Sequence, residues 1–228
     1  ETHGDERRYR VQGPLLAPAA PLEIEPDASS AAVALAAACL SGGELRVPGI
    51  GRTSAQGDAR IVEHLRAFGC EARAEEDALT ARGFPTQGAE LDLEGEPDLA
   101  PVLCAVAAGV ALRTGAKSVL RGLATLPGKE SDRLTVLAEG LRRAGIRVEV
   151  GTDSLSLARG ADASTAPVQL EPRGDHRMVF AFALLGLLRP GVRVGDAGCV
   201  AKSWGSFWED LEVERLHPGD PLAGGLDV

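Results

Sequence analysis

Three short charged strings hold the residues best suited to chemistry. They are Lys129-Glu130-Ser131-Asp132-Arg133, Gly174-Asp175-His176-Arg177 and Cys199-Val200-Ala201-Lys202-Ser203. A helix opening at the first string, with the apolar stripe Leu134, Leu137, Ala138 and Leu141, projects Lys129 and Arg133 from one side, because they are four residues apart. Free N–H groups and a partial positive charge at a helix N-terminus, reinforced by two cations, suit a phosphate or a carboxylate. Taken alone, the same string also reads as a solvated, salt-bridged first turn. The second string puts an imidazole and a guanidinium in the first turn of the most apolar helix, against the helix dipole, which calls for a compensating anion or a functional need. Lys202 by itself is an ordinary loop lysine.

The elements that must position these strings repeat. Pro26-Asp27 leads into Ala28 to Leu40, Pro97-Asp98 into Leu99 to Leu112, and Gly174-Asp175 into Met178 to Leu188, at intervals of about 70–80 residues. Each apolar run has helical length, ends near Gly or Pro, and is followed by a short β-branched strand: Glu44 to Val47, Ser118 to Leu120 and Val192 to Val194. In the first two copies an amphipathic helix closes on Gly69 or Gly145, which fit a left-handed position after a helix. Two strands around a turn follow, ending at Gly83 and Gly160, so the unit reads β-α-β-α-β-β. The third copy keeps two helices, the second opening with the capping-box spacing Ser206-x-x-Glu209, and then lacks the hairpin. Apolar first helices must be buried, whereas amphipathic second helices can face outward. Asp27, Asp98 and Asp175 each suit an N-cap, a role worth about 1 kcal/mol, although the company of Asp98 and Asp175 points further.

The bulk numbers set limits. With 228 residues and 44% hydrophobic content the chain can bury one large core or two modest ones. A formal net charge of -9 disfavours broad binding to nucleic acid or to a membrane surface, so an anionic ligand must meet a local cationic cluster. The run Met178 to Leu188 is far short of the roughly 20 residues that span a bilayer, and the polar, charged start Glu1 to Arg10 does not read as a signal peptide. A cytoplasmic location is the expectation. Cys39, Cys70, Cys104 and Cys199 are scattered, without C-x-x-C spacing, and read as reduced structural thiols. Glu1 at the start and Met178 as the only methionine point to a piece of a longer product.

The three strings, in this order and spacing, closely resemble the signature segments of the EPSP synthase family (3-phosphoshikimate 1-carboxyvinyltransferase). Agreement extends to Asp27-Ala28-Ser29-Ser30, Gly49-Ile50-Gly51 and Gln56-Gly57-Asp58, over roughly residues 20 to 212. The resemblance implies two domains of three β-α-β-α-β-β units each, with the active site between them and this chain as the C-terminal domain. The expected fold is therefore α/β (α+β), three units around a pseudo-threefold axis with buried helices, the third incomplete because the family borrows a strand from the start of the full chain. In residues, 1–20 are an N-terminal strand and linker, 21–83, 84–160 and 161–216 the units, and 217–228 a tail.

The resemblance implies an enolpyruvyl transfer from phosphoenolpyruvate to the 5-hydroxyl of shikimate 3-phosphate, without metal or organic cofactor. By motif, Asp98 matches the aspartate facing that hydroxyl and Glu130 the glutamate of proton transfer. Lys129 matches the lysine at the shikimate 3-phosphate, Arg133, Arg177 and Lys202 the cations holding phosphoenolpyruvate, and His176 a supporting histidine. Two departures stand out: Trp204-Gly205 where the family usually has Phe-Pro, and the absence of the N-terminal domain. Two other readings compete. The sister transferase acting on UDP-N-acetylglucosamine shares fold and donor but lacks the K-E-S-D-R and G-D-H-R pair, and a non-catalytic anion-binding domain would have no need of Asp98 and Glu130.

Overall fold

A computed structural model describes residues 12–14, 16–17, 19–161 and 166–213. Residues 1–11, which hold most of the N-terminal strand expected within 1–20, and the tail 217–228 lie outside the described residues.

The chain begins its regular structure with α1 (Ala28–Ser41), a 14-residue alanine-rich helix. Asp27 caps it by accepting from the Ser29 and Ser30 amides, and Gly42 ends it in the left-handed region at φ 74°. Strand β1 (Glu44–Pro48) follows, then a 3-10 turn at Gly57–Arg60 running into the short α2 (Ile61–Ala67), and the hairpin β2 (Glu71–Ala74) and β3 (Ala78–Arg82). These strands form an antiparallel sheet in the order β1-β3-β2. The next stretch repeats the pattern in full: β4 (Glu90–Asp92), a 3-10 turn at Pro97–Leu99, α3 (Ala100–Thr114), β5 (Ser118–Arg121), α4 (Arg133–Arg143), β6 (Ile146–Val150) and β7 (Leu155–Arg159). Its sheet runs β4-β5-β7-β6, with β4 and β5 parallel and the other pairs antiparallel. Last come β8 (Val168–Leu170), α5 (His176–Leu188), β9 (Val192–Val194), a 3-10 turn at Ala197–Lys202 and α6 (Phe207–Val213), with β8 and β9 pairing in parallel.

The three apolar helices α1, α3 and α5 pack on one another and form the centre of the core. Their apolar character extends all round, which suits a helix surrounded by protein. Close approach depends on Gly109 in α3: a Cβ there would stand 2.8 Å from Leu40 of α1 and 3.3 Å from Leu188 of α5. The stretch Pro97–Thr114 is longer than the Met178 to Leu188 run and is long and apolar enough, by length and composition, to cross a membrane; it is mostly buried within this fold. The amphipathic α4 buries Leu134, Val136, Leu137, Ala138 and Leu141, and its other face is open.

Two local expectations change. Asp98 does not cap α3, because it sits inside the preceding 3-10 turn and its carboxylate points to cations instead. The capping-box partner of Ser206 is also different: its hydroxyl donates to Asp210 Oδ2 at 2.8 Å, one residue beyond Glu209.

Candidate functional site

The N-termini of α4 and α5 and the turn before α3 bring the charged strings together. Helix α4 starts at Arg133, not at Lys129, because Asp132 supplies the cap by accepting from the Thr135 amide and hydroxyl. Lys129 and Glu130 are therefore in the loop before the helix, so the expected i,i+4 geometry does not apply. Lys129 and Arg133 still converge, because a single oxygen of Asp98 receives both: Lys129 Nζ at 3.1 Å and an Arg133 guanidinium nitrogen at 2.8 Å.

Arg133 is 3% exposed and all its guanidinium nitrogens are engaged by carboxylates. Nε donates to Asp175 Oδ2 at 2.7 Å and a terminal nitrogen to Asp175 Oδ1 at 3.3 Å. Asp175 is fully buried and caps α5 through the Arg177 amide. Burial pushes its carboxyl up, but the Arg133 hydrogen bonds and charge, the Arg177 amide and the Ser131 hydroxyl outweigh that and hold it below the ordinary value. The anion expected to compensate the cations at this helix start is thus the protein's own.

Arg177 lies between two carboxylates and a hydroxyl. It is 3.5 Å from Asp98 Oδ2, 3.8 Å from Asp58 Oδ2, and donates to Ser29 Oγ at 3.1 Å. Ser29 in turn donates a short hydrogen bond to Asp58. The environments of the two carboxylates differ. Burial raises the Asp58 carboxyl above its usual value despite Ser29 and Arg177. At Asp98 burial also pushes up, yet Arg177, Lys129 and Arg133 together hold the carboxyl down. Two neighbouring acids set apart in this way are the usual arrangement where one must stay ionised.

On the other side, Glu130 pairs with Lys202, and its second oxygen meets His176 Nδ1 at 3.1 Å. The Lys202 hydrogen bond, with His176 behind it, holds the Glu130 carboxyl below the ordinary range. His176 is 8% exposed and stacks edge-on against Phe180, which leads through Phe207 to Trp204 and Trp208. Trp204 donates to Asp210 Oδ2 at 2.6 Å, so the departure at Trp204-Gly205 is tied down by its own side chain. Glu130, Asp175 and His176 offer ligand atoms within 4.8 Å of one another, but Lys202 and Arg133 already supply the positive charge that a metal would bring.

All seven residues singled out from the sequence, Asp98, Lys129, Glu130, Arg133, His176, Arg177 and Lys202, thus meet around the starts of α4 and α5. Asp58 and Ser29 join them as residues that the sequence reading did not select. Asp58 lies on the turn leading into α2 and contacts α1 and α5 only through folding; its signal was the Gln56-Gly57-Asp58 string. Gln56 belongs to the same corner, accepting from the Ala28 amide at 2.9 Å.

The sequence pattern of the family described as EPSP synthase (3-phosphoshikimate 1-carboxyvinyltransferase) matches residues 1–211. The 3-phosphoshikimate 1-carboxyvinyltransferase of Methanoculleus marisnigri is 40% identical over 210 residues, which is 92% of this chain and 48% of the relative. That of Nitrosomonas europaea is 36% identical over 201 residues, 86% of this chain and 45% of the relative. The chain spans about half the length of the curated relatives it matches. Among solved structures, an EPSP synthase from Acinetobacter baumannii superposes with a TM-score of 0.65 at 27% identity, covering 84% of this chain and 46% of that one. The enolpyruvyl transferase NikO from Streptomyces tendae shares the fold with a TM-score of 0.64 at 18% identity, covering 83% of this chain and 43% of that one.

Proposed function

The chain belongs to the EPSP synthase family, and on that premise we propose that it forms one wall of the active site of a 3-phosphoshikimate 1-carboxyvinyltransferase. The intact protein transfers the enolpyruvyl group of phosphoenolpyruvate to the 5-hydroxyl of shikimate 3-phosphate and releases phosphate. One observation carries this reading. Asp98 and Glu130, neither of which caps a helix, stand in two neighbouring ion clusters, Asp98 with Lys129, Arg133 and Arg177 and Glu130 with Lys202, which adjoin where Glu130 and His176 approach Asp175.

The chemistry follows from charge. Asp98, kept ionised by three cations, accepts the proton of the 5-hydroxyl as that oxygen attacks C2 of phosphoenolpyruvate. In the same step C3 takes a proton from Glu130 in its protonated form, leaving the carboxylate that Lys202 and His176 stabilise. That carboxylate takes a proton back from C3 as the tetrahedral intermediate expels phosphate. Lys129 faces the shikimate 3-phosphate, while Arg177 and Lys202, on separate elements, receive phosphoenolpyruvate. Arg133 adds positive charge from below, through the carboxylates it bonds. His176 supports Glu130. No group beyond these side chains and their counterparts on the other half is part of the proposal.

The units 21–83, 84–160 and 161–216 form a pseudo-threefold arrangement in this reading, supported by the mutual packing of α1, α3 and α5. A second domain of the same protein closes the cleft, in keeping with the half-length coverage of relatives, and the cytoplasm is the proposed location. Assaying phosphate release by the intact protein with shikimate 3-phosphate and, separately, with UDP-N-acetylglucosamine tests the acceptor. Turnover with only the first is expected; preference for the second, or turnover with neither, contradicts the proposal.

A further inference from the structure

Behind the site lies a second charged cluster to which the proposed chemistry assigns no role. Glu96 is 3% exposed, yet its carboxylate is met by His64 Nε2 at 2.8 Å and by Arg60 at 2.9 Å. His64 is 5% exposed and belongs to α2, while Arg60 closes the turn Gly57–Arg60 that carries Asp58. Glu96 itself starts the turn Pro97–Leu99 that carries Asp98, with its carbonyl accepting from the Leu99 amide at 3.0 Å. The two turns touch closely: a Cβ on Gly57 would stand 3.5 Å from the Gly95 carbonyl and 3.8 Å from Glu96.

We propose that Glu96, His64 and Arg60 are positioning residues that clamp the Asp58 turn to the Asp98 turn and so fix the two carboxylates between which Arg177 is held. This rests on the reading of Asp98 and Arg177 as parts of the transferase site. Asp58 and Asp98 repel each other, as the rise of the Asp58 carboxyl partly reflects, and both must stay near one guanidinium. A force is needed to hold their turns together, and Glu96 supplies it by bonding both elements on the Asp58 side. Apolar residues of similar volume often serve stability as well as buried ions do, so an ionic cluster behind an active site is better explained by the geometry it sets. A misplacement of about 1 Å at such a site costs on the order of a hundredfold in rate.

The test compares Glu96→Ala with Glu96→Gln, which keeps the shape and two hydrogen bonds, and uses His64→Leu, which keeps bulk but offers no hydrogen bond, as a second disruption should Glu96→Ala fail to fold. In the 228-residue chain the Arg177 Nε–H resonance, assigned by its loss in Arg177→Lys, is expected to shift or broaden in Glu96→Ala or His64→Leu. The Arg133 Nε–H resonance, held by Asp175, stays in place, and Glu96→Gln restores the native spectrum. In the intact protein kcat/KM for phosphoenolpyruvate is expected to fall by about ten- to a hundredfold in the disrupted variants, with KM for shikimate 3-phosphate within about threefold and recovery in Glu96→Gln. Folded variants with an unmoved Arg177 resonance overturn the clamp, as does a lower melting temperature with unchanged kcat/KM for phosphoenolpyruvate. If the native protein shows no enolpyruvyl transfer, the functional reading fails and the Arg177 resonance alone decides the clamp.

Discussion

Replacing Arg133 with methionine keeps the length and apolar bulk of the side chain and deletes its charge, and the structure says where the loss falls. Asp175, with 0% exposure, loses contacts at 2.7 and 3.3 Å and, among the described residues, its carboxylate keeps the Ser131 hydroxyl at 3.1 Å and the Arg177 amide at 3.0 Å. Removing one partner of a buried ion pair costs about 3–5 kcal/mol, and the two retained hydrogen bonds place this case at about 3 kcal/mol. For a chain of this size each kcal/mol lowers the melting midpoint by about 2–4 °C, so a fall of roughly 6–12 °C is expected. The pH dependence has a definite sign. In the native chain burial raises the Asp175 carboxyl but Arg133 and the other donors more than offset it, leaving the carboxyl below its unfolded value. That stabilisation is full above the unfolded pKa and is lost as pH falls through the folded one. In the variant burial acts without a cation and lifts the carboxyl above its unfolded value, so the penalty is greatest at neutral pH and shrinks toward the unfolded carboxylate range near about pH 4. The stability gap between native and variant therefore narrows on acidification. Urea unfolding followed by circular dichroism at pH 7 and pH 5 measures both quantities. A loss below about 1 kcal/mol at pH 7 with unchanged m, or a gap that is equal at the two pH values, refutes the reasoning.

Asp98→Asn in the intact protein should cut kcat by about a hundredfold or more while costing under about 1 kcal/mol of stability, since Asp98 caps no helix and Arg133 keeps Asp175; steady-state kinetics and thermal melts together check it. Lys202→Ala should move the limb of the kcat/KM profile that reports the loss of the Glu130 proton to higher pH, because the hydrogen bond that chiefly holds the Glu130 carboxyl low is gone; an unmoved limb would remove Glu130 from the titration. Gly140→Ala should destabilise by about 1–3 kcal/mol despite the better helix former, because the new Cβ would stand 2.4 Å from the Phe182 ring, and chemical denaturation of the chain measures the difference.

The helices at the centre of this fold were legible because each signal had a local cause. Asp27 before an alanine run and Gly42 after it delimit α1, and the apolar stretch from Met178 to Leu188 could only be buried. Strand β9 falls where a β-branched run foretells it. The misreadings occur where two residues compete for one role. Asp98 looks like Asp27, but Pro97 opens a 3-10 turn before α3 and carries the carboxylate away from the helix end. In Lys129 to Arg133 both Ser131 and Asp132 are able to cap, and the choice of Asp132 leaves Lys129 outside the helix. Convergence of the charged strings was expected from their kinds and order; its means, a shared Asp98 and a buried Asp175, was not. Ser29 and Asp58 are 29 residues apart, and Arg177 is 148 residues from Ser29, so no local pattern joins them. Glu96 and His64 escaped notice for the same reason.

The central claim is that this chain supplies one wall of a two-part cleft, whose closure expels water and completes the charge around both substrates. The most direct measurement is phosphate release from phosphoenolpyruvate in the presence of shikimate 3-phosphate, made on the folded chain alone, on the complementary half of the intact protein alone, and on the two mixed. Turnover that appears only in the mixture, and disappears when the added chain carries Asp98→Asn, is the predicted result. Substantial turnover by this chain alone, or a mixture as active with Asp98→Asn as without it, would contradict the account.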